Sequence, residues 1–193
     1  MARPIEYEPE HVLDRALSAF WRLGYSACSF QVLIKETGMS RQGIYNTFGD
    51  KDALFDAAIA HYKSKLVQQL QPLNHPSAGV GDIRSFITAS LQVQRSMGPG
   101  ACFLVITAFA PKAEDPKVRV ALEDGAELVR AAFERVLSHA ASSRDDIGGY
   151  SPKTEAAHLY CIMNGVSALL QTGGSQTQAD AVLDGAFRSL NSQ

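Results

Sequence analysis

The sequence predicts an all-α protein, a small N-terminal bundle of three helices followed by a larger C-terminal helical domain. Three observations point there. Apolar residues recur at i, i+3, i+4 and i+7 in one stretch after another, the period of a helix with one buried face. Glycine and proline punctuate these stretches at Gly24, Gly38, Gly49, Pro72, Pro111 and Gly173-Gly174, where helices must end. With 46% hydrophobic and 20% charged residues over 193 positions, the chain can fill a folded core and is not the composition of a disordered segment.

The first helix is expected from about Glu10 to Leu23, with Leu13, Ala16, Leu17 and Phe20 on one face and Gly24 ending it. Trp21 and Tyr25 would close a small core around two short helices. The first of these buries Phe30, Leu33 and Ile34 and stops at Gly38, since glycine takes the left-handed C′ conformation without steric cost. Met39 plugs the turn, and Ser40 is a good N-cap for the second, Arg41 to Thr47, whose Ile44 and Phe48 point inward. After Gly49, Asp50 caps a longer helix carrying Leu54, Ala58, Tyr62 and Leu66 at four-residue steps, stopped by Pro72. The domain boundary is placed within this helix, near Lys65, giving domains 1–65 and 66–193.

Asp82 to Met97 reads as a helix bearing Ile83, Phe86, Ile87 and Leu91, broken by Gly98-Pro99-Gly100. The run Ala101–Ala110 is apolar all round. A strand would leave its backbone groups unpaired, as nothing nearby offers a partner, so a helix buried in the middle of the domain is expected. Pro116 to about Ala141 turns Val118, Leu122, Val129, Phe133, Val136 and Leu137 inward. A loop with paired glycines precedes Lys153–Gln171, and Thr177–Leu190 is the last helix. Small residues on these two, Ala157, Gly165, Gly185 and Ala186, permit close packing, and their apolar surface exceeds what one face buries. Residues 153–190 are therefore expected to pair with a second copy as a four-helix bundle, or else to complete the monomer core.

The helix after Gly38 leaves Arg41, Gln42, Tyr45 and Asn46 facing outward. That set suits a DNA major groove, where Arg pairs with guanine, Gln or Asn with adenine, and Tyr or Ser with phosphate. Gly43 either lets this helix approach DNA closely or packs tightly within the domain. Lys51, in the first turn of the next helix, opposes the helix dipole, so it is either matched by an anion such as phosphate or simply solvated.

The string from Gly24-Tyr25 through Thr37-Gly38-Met39-Ser40 to Ile44–Phe48 and Gly49–Phe55, with the amphipathic helix before it, resembles the DNA-binding domain of TetR-family (AcrR-like) helix-turn-helix transcriptional regulators. The resemblance covers roughly residues 9 to 66. It implies a DNA-binding set of Ser29, Ser40, Arg41, Gln42, Gly43, Tyr45, Asn46 and Lys51 and double-stranded operator DNA as partner. Cys28, Gln42-Gly43 and Thr47 depart from the family's commoner residues, which bears on the operator sequence rather than the fold. The resemblance further implies dimerisation through the two final helices, and a C-terminal domain that binds a ligand and releases the protein, most commonly a repressor, from its operator.

Charge does not signal nucleic acid by itself. The formal net charge is −2, and residues 1–70 hold eight Lys+Arg against eight Asp+Glu, so any basic surface comes from placement. Five histidines are scattered, with no paired carboxylates, nucleophile–base ordering or phosphate loop, so no enzyme is expected and no cofactor or metal. Cys28, Cys102 and Cys161 show neither zinc nor disulfide spacing. The N-terminus is polar, and no run approaches the ~20 apolar residues of a membrane span, so a cytoplasmic protein is expected. An effector pocket is placed around Cys102, Phe103, Ile106 and Phe109, facing Tyr160 and Met163, and suits a small hydrophobic or aromatic molecule. Cys102 at a helix N-terminus also raises a redox- or electrophile-sensing alternative, against the plainer one of a small buried hydrophobe. A helical adaptor that binds protein is a third reading, separated from the first by retention on random DNA with a steep salt slope.

Overall fold

The computed structural model describes residues 8–97, 101–142 and 151–191. Helices account for every regular element among them. They are α1 (Pro9–Ala27), α2 (Phe30–Thr37), α3 (Arg41–Phe48), α4 (Lys51–Gln69), α5 (Val80–Met97), α6 (Phe103–Ala108), α7 (Pro116–Ser142), α8 (Pro152–Gln171) and α9 (Gln176–Asn191). Single 3-10 turns follow α4 at Gln71–Asn74 and α6 at Pro111–Glu114. The break at 98–100, the loop at 143–150 and the first seven residues lie outside the described residues.

In α1, Val12, Ala16, Leu17, Ala19, Phe20 and Trp21 are buried, while Leu13, expected on the inner face, is half-buried. Helical hydrogen bonding runs on to Ala27, but Gly24 takes φ 75° and ψ 163°, and the helix kinks there. α2 ends where expected. Gly38 adopts φ 73°, and its N–H donates to Ile34 O at 2.9 Å, closing the turn. α1 packs against α2 and α4, and α3 against α4. Phe20, Leu33, Ile44, Leu54 and Phe55 are essentially inaccessible, the centre of the first three helices' core.

The second half is built on α7, which packs against α8, α6, α5 and α4. All six residues expected inward on α7 are buried. Gly125 on α7 is buried because α6 crosses it closely: a Cβ there would stand 2.3 Å from Leu104 Cδ1. α9 leans on α8 and α5 through Ala179, Leu183, Ala186 and Phe187.

The expected helix over 101–110 is shorter than its apolar run. Ala101 and Cys102 precede it, and Phe109, past its end, is 89% exposed. The Trp21 indole donates to the Ala101 carbonyl at 2.7 Å, which gives that group a partner outside any helix. No helix among the described residues is long and apolar enough to cross a membrane.

Candidate nucleic-acid interface and effector cavity

α3 is held by its own first turn. Ser40 Oγ accepts the Gly43 N–H at 3.0 Å, and Met39, 5% exposed, fills the space beneath. A Cβ on residue 43 would lie 3.2 Å from Ser40 Oγ and 3.4 Å from Met39 Cε. A side chain at residue 43 would therefore be tight against the turn, and Met39 or Ser40 would have to give by a few tenths of an ångström. Ser29 caps α2 in the same way, accepting the Val32 N–H at 3.3 Å. Either serine hydroxyl still has its proton to donate.

Ile44 anchors α3, and Arg41, Gln42, Tyr45 and Asn46 are exposed together on the opposite side. They are not independent. Phe30 and Tyr45 stack at 5.2 Å with rings 14° from parallel, and the Arg41 guanidinium lies 5.0 Å from the first ring and 5.8 Å from the second. Gln42 Nε2 donates to Asn46 Oδ1 at 2.8 Å. The face is ordered without a ligand, which lowers the side-chain entropy lost on binding one.

Lys51 sits with Nζ 4.2 Å from the centre of the Tyr25 ring. Among the described residues no carboxylate pairs with it, and a ring face holds it, worth about 0.5–1 kcal/mol at such a surface site. The Tyr25 hydroxyl donates to Asp52 Oδ1 at 2.5 Å, and Lys112, from the turn after α6, reaches the same oxygen at 2.6 Å and Asp115 at 3.0 Å. Lys112 Nζ also stands 4.9 Å from the Tyr25 ring. One cluster therefore joins the start of α4 to the start of α7. The Lys112 and Tyr25 hydrogen bonds hold the Asp52 carboxyl below the usual range. Desolvation, then Asp52, pushes the Tyr25 phenol up to about 12.

Higher up, a cavity of about 180 Å³ opens between α1, α4, α5, α6, α7 and α8. Of the six expected pocket residues, Cys102, Tyr160 and Met163 line it. Phe103 instead packs in an aromatic cluster with Trp21, Tyr62 and Phe55, and Ile106 is half-buried beside the core. Phe109 points away, lining a shallow surface groove with Pro111 and Leu122. What the sequence reading missed is that α1 and α4 wall the cavity through Trp21 and Tyr62. The four-residue apolar step of α4 marked Tyr62 as buried, but not that it would meet a cavity. Tyr62 OH and Cys102 Sγ lie 3.3 Å apart, and burial, then Cys102, drives the phenol well above its ordinary value. At the rim, Asp14 pairs with Lys65 and His61, each at 2.7 Å. Desolvation pushes that carboxyl up, but the two partners outweigh it and hold it below the usual range.

The sequence model of the tetR family of bacterial regulatory proteins matches residues 12–58, the span of α1 to the first turns of α4. The chain is 28% identical over 135 residues to an uncharacterized HTH-type transcriptional regulator, YezE, of Bacillus subtilis (strain 168), covering 69% of this chain and 70% of that one. It is 25% identical over 182 residues to the HTH-type transcriptional repressor ComR of Escherichia coli (strain K12), covering 90% and 84%. Among solved structures, a cysteine mutant of the TetR family transcriptional regulator CifR, complexed with 26-bp operator DNA, superposes with a TM-score of 0.78 over 98% of both chains at 21% identity. These relatives are regulators, not enzymes.

Proposed function

We propose, from the premise that this chain is a TetR-family DNA-binding transcriptional regulator, that it is a homodimeric repressor released from its operator by a small molecule. The observation that carries this is the pre-ordered outward face of α3. Arg41, Gln42 and Asn46 would meet base edges, with Gly43 close to the groove, while Ser29, Ser40, Tyr45 and Lys51 would take phosphates. Two such heads would enter successive major grooves about 34 Å apart on a near-palindrome. Residues 1–65 would form the DNA-binding domain and 66–193 the effector and dimerisation domain. ComR is named a repressor, and CifR was solved on operator DNA, which supports the same reading here. The protein would act in the cytoplasm.

Dimerisation would use residues 153–190. Cys161, Gly165 and Ala168 of α8 and Ala181, Val182 and Gly185 of α9 are exposed, a surface of small and apolar groups suited to a second copy. A ligand in the cavity walled by α1 and α4 would touch the DNA-binding helices directly. A coupling of about 1–3 kcal/mol would suffice to empty the operator. Footprinting the protein on its own promoter region, with and without candidate metabolites, tests this. Protection that a metabolite abolishes is expected; no protected sequence at any salt concentration overturns the reading.

A second reading has an observation of its own. Cys102 Sγ lines the cavity beside the Tyr62 hydroxyl, where an electrophile or oxidant entering the same space would meet it. In that case diamide releases the parent from DNA and leaves Cys102→Ser bound. Equal behaviour of the two leaves Cys102 as packing and the effector reversible.

A further inference from the structure

Gln94, on α5, is 4% exposed, and its Oε1 accepts a hydrogen bond from the buried Ser167 hydroxyl at 2.7 Å. The amino half of the same carboxamide has no protein partner among the described residues, and the residue lines the cavity. That amino group is not sealed away and the residue lines the cavity, so a bound molecule carrying an acceptor can take its N–H. Ser90, one turn earlier on the same face of α5, also lines the cavity and adds a hydroxyl beside that donor.

Beyond Gln94 and Ser90, Gln69 also lines the cavity but is exposed, and the deeper polar groups are engaged. The Trp21 indole N–H is spent on Ala101 O, and Tyr62 and Cys102 face each other. Lys65, the cation on the lining, is paired with Asp14 at the rim. An anionic ligand would have to displace that carboxylate or be buried without a counter-charge, which is costly. The remaining lining is apolar and aromatic, with Trp21, Tyr62, Leu104, Val129, Tyr160 and Met163. The volume, about 180 Å³, compares with the ~150 Å³ of an apolar cavity that takes up benzene.

We propose that the effector is a neutral, single-ring aromatic molecule bearing one hydrogen-bond acceptor, of the aryl ketone or aryl aldehyde type. Its ring lies between Trp21, Tyr62 and Val129, and its oxygen accepts from Gln94 Nε2. This rests on the ligand-responsive reading above and names the ligand class for that cavity. It also explains why one wall belongs to the DNA-binding helices: the ring rests on the side chains that fix α1 and α4 against Ala101 and Cys102.

The chain has a single tryptophan, so Trp21 fluorescence reports on the cavity. The full chain is titrated with acetophenone, with ethylbenzene, which keeps the ring and loses the acceptor, and with benzoate, which adds a charge. Acetophenone is expected to shift Trp21 emission and to bind about five- to tenfold more tightly than ethylbenzene, the worth of one net hydrogen bond, with benzoate weakest. In Gln94→Leu the preference for acetophenone over ethylbenzene disappears while ring binding persists. If that variant loses its helical circular dichroism, the parent series decides alone. Equal affinity of acetophenone and ethylbenzene for the parent, tighter binding of benzoate, or no response of Trp21 to any of the three at millimolar concentration overturns the proposal. Operator binding, measured separately by footprinting, keeps the two readings apart. A protein that binds acetophenone selectively but no DNA retains the ligand assignment and loses the repressor one. A protein that binds DNA and none of the three ligands does the reverse.

Discussion

Gly38 joins α2 to α3 at φ 73°, a conformation that costs a residue with a Cβ roughly 1–2 kcal/mol. Gly38→Ala is expected to lower unfolding stability by about that amount in urea; an unchanged midpoint would show that the turn is not strained by a side chain. On the outward face of α3, Arg41→Ala should cost roughly 1–3 kcal/mol of operator affinity if its guanidinium reads a guanine bidentately. Lys51→Ala should weaken binding to all sequences alike and flatten the salt slope by about one unit. Both variants are compared with the parent in a salt-matched binding assay, and parent-like affinity in both sinks the assignment of α3. These residues were legible because what places them is local: Ser29, Ser40 and Asp50 each cap the backbone three residues on. The ring that holds Lys51 was not. Tyr25 is close in sequence, but its own hold depends on Asp52 and on Lys112, which no local pattern connects to it.

At the scale of elements, the one marked departure concerns α6. An unbroken apolar run suggested ten residues buried on every side, yet Phe109 faces solvent and the helix spans Phe103–Ala108. Apolarity states what a residue tolerates; burial depends on which neighbours arrive, and α7, which comes close beneath Leu104 at Gly125, leaves Phe109 uncovered. Gly125→Ala should therefore push the Leu104 side chain toward the cavity that it lines. The expected result is a loss of about 1–3 kcal/mol in stability together with weaker binding of any cavity ligand, read by Trp21 fluorescence. Retained ligand affinity would mean that Leu104 moves elsewhere. The Tyr25–Asp52–Lys112 cluster makes a second statement about elements, since it ties α4 to the turn before α7. Asp52 and Asp115 sit below their ordinary values through hydrogen bonds from Lys112, so the stability they lend is present above the unfolded carboxylate range and lost as pH falls through their folded values. Tyr25, pushed up to about 12, and Lys112, raised by Asp52, act in the opposite sense: their contribution is full below about pH 10 and lost as pH rises through the folded values. Thermal melts of the parent and Lys112→Met across pH 3–11 test this. The variant should lose under about 1 kcal/mol at neutral pH and show flatter limbs at both ends, whereas parallel curves would show that the cluster carries no linkage.

For the whole molecule, the first three helices and their connection into α4 could be read almost residue by residue, because the helix-turn-helix string fixes its own turns. The cavity could not in full, since it is assembled from α1, α4, α5, α6, α7 and α8, helices far apart in the chain. The proposed dimer stands between these cases. Its apolar surplus on the last two helices was visible, and the structure divides it: Ala179, Leu183, Ala186 and Phe187 close the monomer core, while Ala181, Val182 and Gly185 remain outside. That division makes one substitution decisive. A Cβ at Gly185 would meet nothing within 4 Å in the single chain, so Gly185→Arg leaves the monomer's packing untouched. If α8 and α9 pair with a second copy, the same arginine is buried against the partner without a counter-charge, a loss of several kcal/mol. Sedimentation at micromolar concentration should give a dimer for the parent and a monomer for the variant, with parent-like helical circular dichroism in both. Operator affinity should fall in step, because one head contacts one half-site where two contacted both. A parent that sediments as a monomer, or a variant that dimerises as the parent does, would place the second copy on some other face.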